Sequence, residues 1–221
     1  QVAGRFIRPQ LNSAYVLVDA TGQYADSIHH RIELNRQRYE LGDLSAYVQR
    51  WGAGSAKPDA VWAKGDRWFS EQQVEQFIAE GGAPAALELI TPKLPKDAPV
   101  YELEPPPVVL ADVPAGVPVD QGPDALAAGL APYLQDVIDT PLGERPLGLA
   151  VYIPADVGPA SPIRMWTNGA PNASLIDAMR SEVLRIQRAQ TLVAKGVAPE
   201  LAAQLVDTSV PLEVSAPPQG E

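Results

Sequence analysis

The only imidazoles in the chain are His29 and His30, side by side. Adjacent residues on a helix do not face the same way, so the two cannot chelate one ion together. His29 and Glu33 form an i, i+4 pair that offers two ligands, where a zinc site takes three or four. A solvated helix face is the expected role. Ser–His–Asp catalysis would need one histidine held between an acid and a serine, and the chain has no G-x-S-x-G elbow to present that serine. Gly52-Ala53-Gly54-Ser55-Ala56-Lys57 has the glycines and lysine of a phosphate loop without the G-x-x-x-x-G-K-[ST] spacing, and reads as a plain loop. Glu102 and Glu104 are paired carboxylates of the kind that act on glycosides. Standing two apart in a proline-flanked extended stretch, they read as a solvated acidic face. Trp62, Trp68 and Trp166 are the candidates for an interaction surface, with core packing as the competing role. No catalytic, cofactor-binding or metal-ligating residue is assigned, and no cofactor is expected.

Composition narrows the field further. The 221 residues carry 17 basic and 27 acidic side chains, a net charge of −10. That charge opposes nucleic-acid binding, which needs clustered Lys and Arg to neutralise phosphate. The absence of cysteine removes disulfides, zinc thiolates, iron–sulfur clusters and thiol nucleophiles. With 46% hydrophobic residues the chain can bury a core and is no acidic disordered tail. The longest uncharged apolar runs, within 125–135 and 146–155, are too short to span a bilayer and are interrupted by proline.

The elements that must carry these residues follow from periodicity. Ala14–Asp19 reads as a strand ended by Thr21-Gly22. A helix is expected from Tyr24 to Glu40, with Tyr24, Ile28, Ile32, Asn35 and Tyr39 on one face and Gly42 as its stop. A second helical segment with Leu44, Val48 and Trp51 follows, capped by Asp43. Ser70 and Gln73 form a capping box for a helix carrying Val74, Phe77 and Ile78 and ending at Gly81-Gly82.

From Pro84 to Pro171 the chain holds 17 of its 23 prolines, densest to about residue 123, and Asp97 to Ser161 holds ten acids against Arg145 alone. Apolar runs between the prolines, such as Val108-Val109-Leu110, argue for edge strands and element ends instead of a disordered linker. Pro105-Pro106-Pro107 is an extended spacer, and Gly122-Pro123-Asp124 opens a helix of about three turns. Leu147–Ile153 and Ile163–Thr167 read as strands, the first fully buried. A long helix capped by Asn172 or Ser174 runs to Lys195-Gly196 with the seam Ile176, Met179, Val183, Ile186, Gln190 and Val193. A short helix from Pro199 to Val206 and a strand Val210–Val214 complete one α/β (α+β) domain over 1–221, a mixed sheet with packed helices.

The stretch from Pro146 onward, LGLAVYIPAD, then a second strand, Asn168-Gly169-Ala170-Pro171-Asn172 and the long helix, resembles the extracytoplasmic region of ABC-2 type transporter permeases of the sodium-extrusion and drug-export group. The resemblance is strongest from Pro146 to Val206; Ala14 to Trp51 fits as a strand with a terminal acid followed by a helix. It implies a non-catalytic domain on the periplasmic side of the bacterial inner membrane. Transmembrane helices are expected beyond both ends, in keeping with a first residue that is Gln and not Met. The implied partners are the protein's own membrane helices, a second permease copy and an ATP-binding subunit or domain, with no nucleic acid. The alternatives are a free-standing periplasmic binding or adaptor protein, and a hydrolase using acids of the proline-rich stretch.

Overall fold

The computed structural model describes residues 12–66, 68–169 and 172–207. It has mixed α/β content, with five strands and six α-helices among the described residues. These gather into two compact units. The first takes the described residues up to His29 and Pro105–Arg188; the second takes His30–Glu104 and the described residues from Ala189.

The first unit is built on a mixed sheet in the order β2-β1-β4-β3, with β5 also pairing β4. Strand β1 (Ser13–Asp19) lies parallel to both β2 (Val108–Leu110) and β4 (Gly143–Ile153). β3 (Val137–Thr140) and β5 (Arg164–Thr167) run antiparallel to β4. The β1–β4 register slips at Ala14/Tyr15, where Ala14 faces Leu147 and Tyr15 faces Leu149. Gly148 is the extra residue, and a Cβ there would lie 3.1 Å from Ser13 Cβ and Oγ. The slip moves Leu147 onto the face of Ala150 and Tyr152, because side chains alternate with period two on either side of it. That face, with Ala14 and Val16, packs on Leu126 and Leu130 of α4 (Pro123–Leu130) to form the unit's core.

Three expectations change in this unit. β4 begins at Gly143 instead of Leu147, in a hairpin with β3 whose turn ends on Gly143 at φ 94°. α4 is eight residues, about two turns, and is followed by a separate 3₁₀ turn, Tyr133–Gln135. Helix α5 (Ala173–Ala194) is capped by Asn172, whose Oδ1 accepts from Leu175 N at 3.1 Å. Its buried positions are Leu175, Ala178, Met179, Glu182 and Val183. The expected seam is therefore buried only at Met179 and Val183; Ile176 and Ile186 are half-buried, and Gln190 and Val193 are exposed.

The second unit is helical. Helix α1 (Ala25–Trp51) runs straight through Gly42, contrary to the stop expected there. A glycine inside a helix costs about 1 kcal/mol, and the burial of Leu41, Leu44 and Val48 on either side outweighs it. The expected stripe also fails beyond Ile28. Ile32 is half-buried, Asn35 is exposed and Tyr39 is 71% exposed, while Leu34, Leu41, Leu44 and Val48 are buried. Tyr24 and Ile28 are buried in the first unit, and Leu34, Leu41, Leu44 and Val48 join the core of the second.

α2 (Glu71–Ala79) has the expected capping box: Ser70 accepts from Gln73 N, and the Gln73 side chain accepts from Ser70 N. Val74 and Phe77 face the core and Ile78 is exposed. α3 (Gly82–Ile90), where the Gly81-Gly82 pair reads as a stop, adds Ala83, Ala86 and Ile90 to the same core. α6 (Pro199–Asp207) lies where the sequence places it. The expected strand Val210–Val214 lies outside the described residues.

Candidate functional site

In sheets with parallel strands, ligands tend to bind at the carboxyl ends of the strands. Here those ends belong to β1 and β4, which stay in register to Asp19 and Ile153, with Ala20 N donating to Ile153 O at 2.9 Å. Asp19 closes β1. Its Oδ1 accepts from Thr21 N (3.0 Å) and Thr21 Oγ1 (2.6 Å), and its Oδ2 from Tyr24 N (2.7 Å) and Ala25 N (3.0 Å). One carboxylate thus ties the strand end to the first turn of α1, where free backbone N–H groups favour an anion. Burial pushes its carboxyl pKa up. The hydrogen bonds from the Thr21 hydroxyl and the Tyr24, Ala25 and Thr21 amides outweigh that and hold it below the ordinary value. An acid with four donors is a clamp more than a free general base.

At the end of β4 the chain turns through Pro154, with Val157 N donating to Pro154 O at 3.1 Å. Asp156 accepts from Ser161 Oγ at 2.7 Å, and Gly158 and Ser161 bridge to each other. The IPAD corner is therefore held by its own acid. Tyr15, buried on β1, joins its hydroxyl to His29 Nδ1 at 3.0 Å.

The other residues singled out from sequence are placed as follows. His30 is exposed. Glu33 binds Arg36 through both carboxylate oxygens, at 2.6 and 2.9 Å. Among the described residues no group of three or more His, Asp or Glu could hold a metal ion. Lys57, at the end of the glycine loop, pairs with Glu80 at 2.6 Å. Glu102 and Glu104 are exposed. Trp62 is buried in the core of the second unit; Trp68, in the same unit, is 46% exposed with the Arg38 guanidinium 6.0 Å from its ring centre. Trp166 belongs to the first unit and packs, half-buried, on its core.

Sequence reasoning passed over two clusters. One is the Asp19 clamp, whose signal is an acid at a strand end, a Thr two residues on and a helix start five or six on. The other lies in the second unit, where Tyr47 and Tyr101 meet edge to face at 5.1 Å and the Tyr47 hydroxyl donates to Pro99 O at 2.7 Å. Burial, then the charges of the Asp43, Glu40 and Glu104 carboxylates and of the Tyr39 hydroxyl when ionised, push the Tyr101 hydroxyl pKa up, so it stays protonated. This aromatic pair fastens part of the proline-rich stretch to α1.

Comparison of the chain with protein-family models, with curated proteins and with solved structures finds no match. Among the described residues no helix is long and apolar enough to cross a membrane.

Proposed function

We propose that the chain is a non-catalytic extracytoplasmic domain of an ABC-2 type exporter permease, acting on the periplasmic side of the bacterial inner membrane. It contributes to gating, substrate hand-off or partner docking. ATP hydrolysis belongs to a separate nucleotide-binding subunit or domain, and the other partners are the domain's own membrane helices and a second permease copy.

The observation that supports this reading is the run from β4 to α5. A buried strand ends at Ile153-Pro154, β5 returns antiparallel to it, Gly169 takes a positive φ of 85° after Asn168, and a 22-residue helix follows. That is the order of elements the resemblance implies. The strand with a terminal acid followed by a helix, β1 to α1, has its counterpart in the Asp19 clamp.

The test is the reading frame on either side of the chain, with fractionation of the full-length product. The reading expects an apolar span before Gln1, another after Glu221, and recovery with the inner membrane. A cleavable signal peptide and a free periplasmic product would favour a binding or adaptor protein instead. Hydrolytic turnover by residues 1–221 alone would refute a non-catalytic role.

A further inference from the structure

The chain has four asparagines, at 12, 35, 168 and 172. Asparagine is thermally labile, because the backbone nitrogen of the following residue can attack its side-chain amide carbon. What that nitrogen and that side chain already hold decides which of the four can react. Ser13 N, after Asn12, donates to Pro107 O at 3.0 Å. Asn35 lies inside α1, where the next nitrogen is held in the helical ladder, and its Oδ1 accepts from Arg38 Nη1 at 2.9 Å. Asn172 is fixed as the cap of α5, its Oδ1 accepting from Ser174 Oγ at 3.0 Å and from Leu175 N at 3.1 Å. Asn168 differs from all three. It is exposed in the bend that follows β5, and the next residue is glycine. Gly169 has φ 85°, and a Cβ built on it meets nothing within 4 Å among the described residues, so the space beside its backbone is open. The bend is steadied from Thr167, whose Oγ1 donates at 3.1 Å to the Gly169 carbonyl and so makes no claim on the nitrogen.

We infer that Asn168 is a site of self-modification, converted by water to aspartyl and isoaspartyl through a cyclic imide closed by Gly169. Gly169 N attacks Asn168 Cγ, the Cγ–Nδ2 bond breaks, and the displaced nitrogen leaves as ammonia with the proton of the Gly169 amide. Water then opens the imide at either carbonyl. Opening at the side-chain carbonyl leaves aspartyl, and opening at the main-chain carbonyl leaves isoaspartyl. Glycine suits the step because it has no Cβ to crowd the closing ring and adopts a positive φ freely. Either product puts a carboxylate where a neutral amide stood, between β5 and α5. The isoaspartyl form also lengthens the main chain of that connection by one carbon.

The test incubates the full chain in mildly alkaline buffer, which promotes loss of the attacking amide's proton, folded and in guanidinium chloride side by side. Peptide mapping by mass spectrometry reads amide-to-acid conversion at each asparagine, and enzymatic methylation reads isoaspartyl. The expected result is conversion at Asn168 in the folded chain ahead of Asn12, Asn35 and Asn172, at a rate within about tenfold of the unfolded one. Asn168→Gln, whose longer side chain closes a larger ring far less readily, should lose the isoaspartyl signal of the folded chain. A folded rate more than about tenfold below the unfolded one, the mark of an opening step of about 1.4 kcal/mol or more, would overturn the inference. So would conversion of another asparagine ahead of Asn168 in the folded chain, or an isoaspartyl signal that persists in Asn168→Gln.

Discussion

Replacing Asp19 by Asn separates the clamp's geometry from its charge. The carboxylate serves two donors on each oxygen. An amide of the same size has one accepting oxygen, so one pair of donors must face an NH₂ group. If the oxygen stays with Thr21, the amides of Tyr24 and Ala25 lose their acceptor. Hydrogen bonds to charged groups contribute about 1.5–3 kcal/mol each, and loss of a helix cap about 0.5–2 kcal/mol. Asp19 is only partly buried, so water replaces some of the loss, and about 2 kcal/mol at neutral pH is expected.

The pH dependence has a definite sign. Because the folded-state pKa of Asp19 lies below its ordinary value, its contribution is full above the unfolded value and is lost as pH falls through the folded one. The gap between parent and Asp19→Asn should hold steady from pH 7 to about 5 and close below about 4. Urea unfolding read by circular dichroism gives the global difference. Amide exchange at Tyr24 and Ala25 gives the local one, faster by about thirty-fold in the variant if the loss is about 2 kcal/mol. Unchanged exchange at both amides at pH 7, or a stability gap that widens on acidification, would refute the clamp.

Gly42→Ala should stabilise the protein by about 0.5–1 kcal/mol in urea unfolding, because an added Cβ meets nothing within 4 Å and the residue lies inside α1. A neutral or negative change would mean the helix needs glycine there. Ser70→Ala removes the hydroxyl half of the capping box on α2, leaving the residue-70 backbone N–H on the Gln73 side chain, and should cost about 1 kcal/mol by the same assay, with faster exchange at Gln73 N. Val183→Asp places an unpaired charge at a buried position of α5 and should cost about 3 kcal/mol or more. A variant melting with the parent would remove Val183 from the core.

What the sequence could and could not reveal divides along the range of the interactions involved. β1, the α2 capping box, the Asn172 cap and the positions of β4, β5 and α5 are set by neighbours within a few residues, and those were legible. Gly42 was misleading because its local penalty is about 1 kcal/mol, whereas the leucines around it are buried by residues 20 to 50 positions away, such as Val61, Phe77 and Ile90. α3 was hidden by Gly81-Gly82 and Pro84, yet Pro84 falls in its first turn, where a missing N–H costs nothing. The β3–β4 hairpin was lost in a proline-rich stretch read as a whole, although Pro141-Leu142-Gly143 is itself a turn signal. The apolar stripe of α1 fails because the row that is buried, Leu34, Leu41, Leu44 and Val48, is set by residues distant in sequence, such as Phe69 and Val74, that share its core. The candidate site follows the same logic. Asp19 could be read as an acid at a strand end, but its partners depend on where α1 begins. Arg145 stood out by charge alone, and only the β3–β4 pairing shows that it points into an apolar row. A base that is unique among ten acids in sequence and also buried is the kind of residue for which charge counting and packing must be read together, since the acids nearest in sequence are not the groups that meet it in the fold.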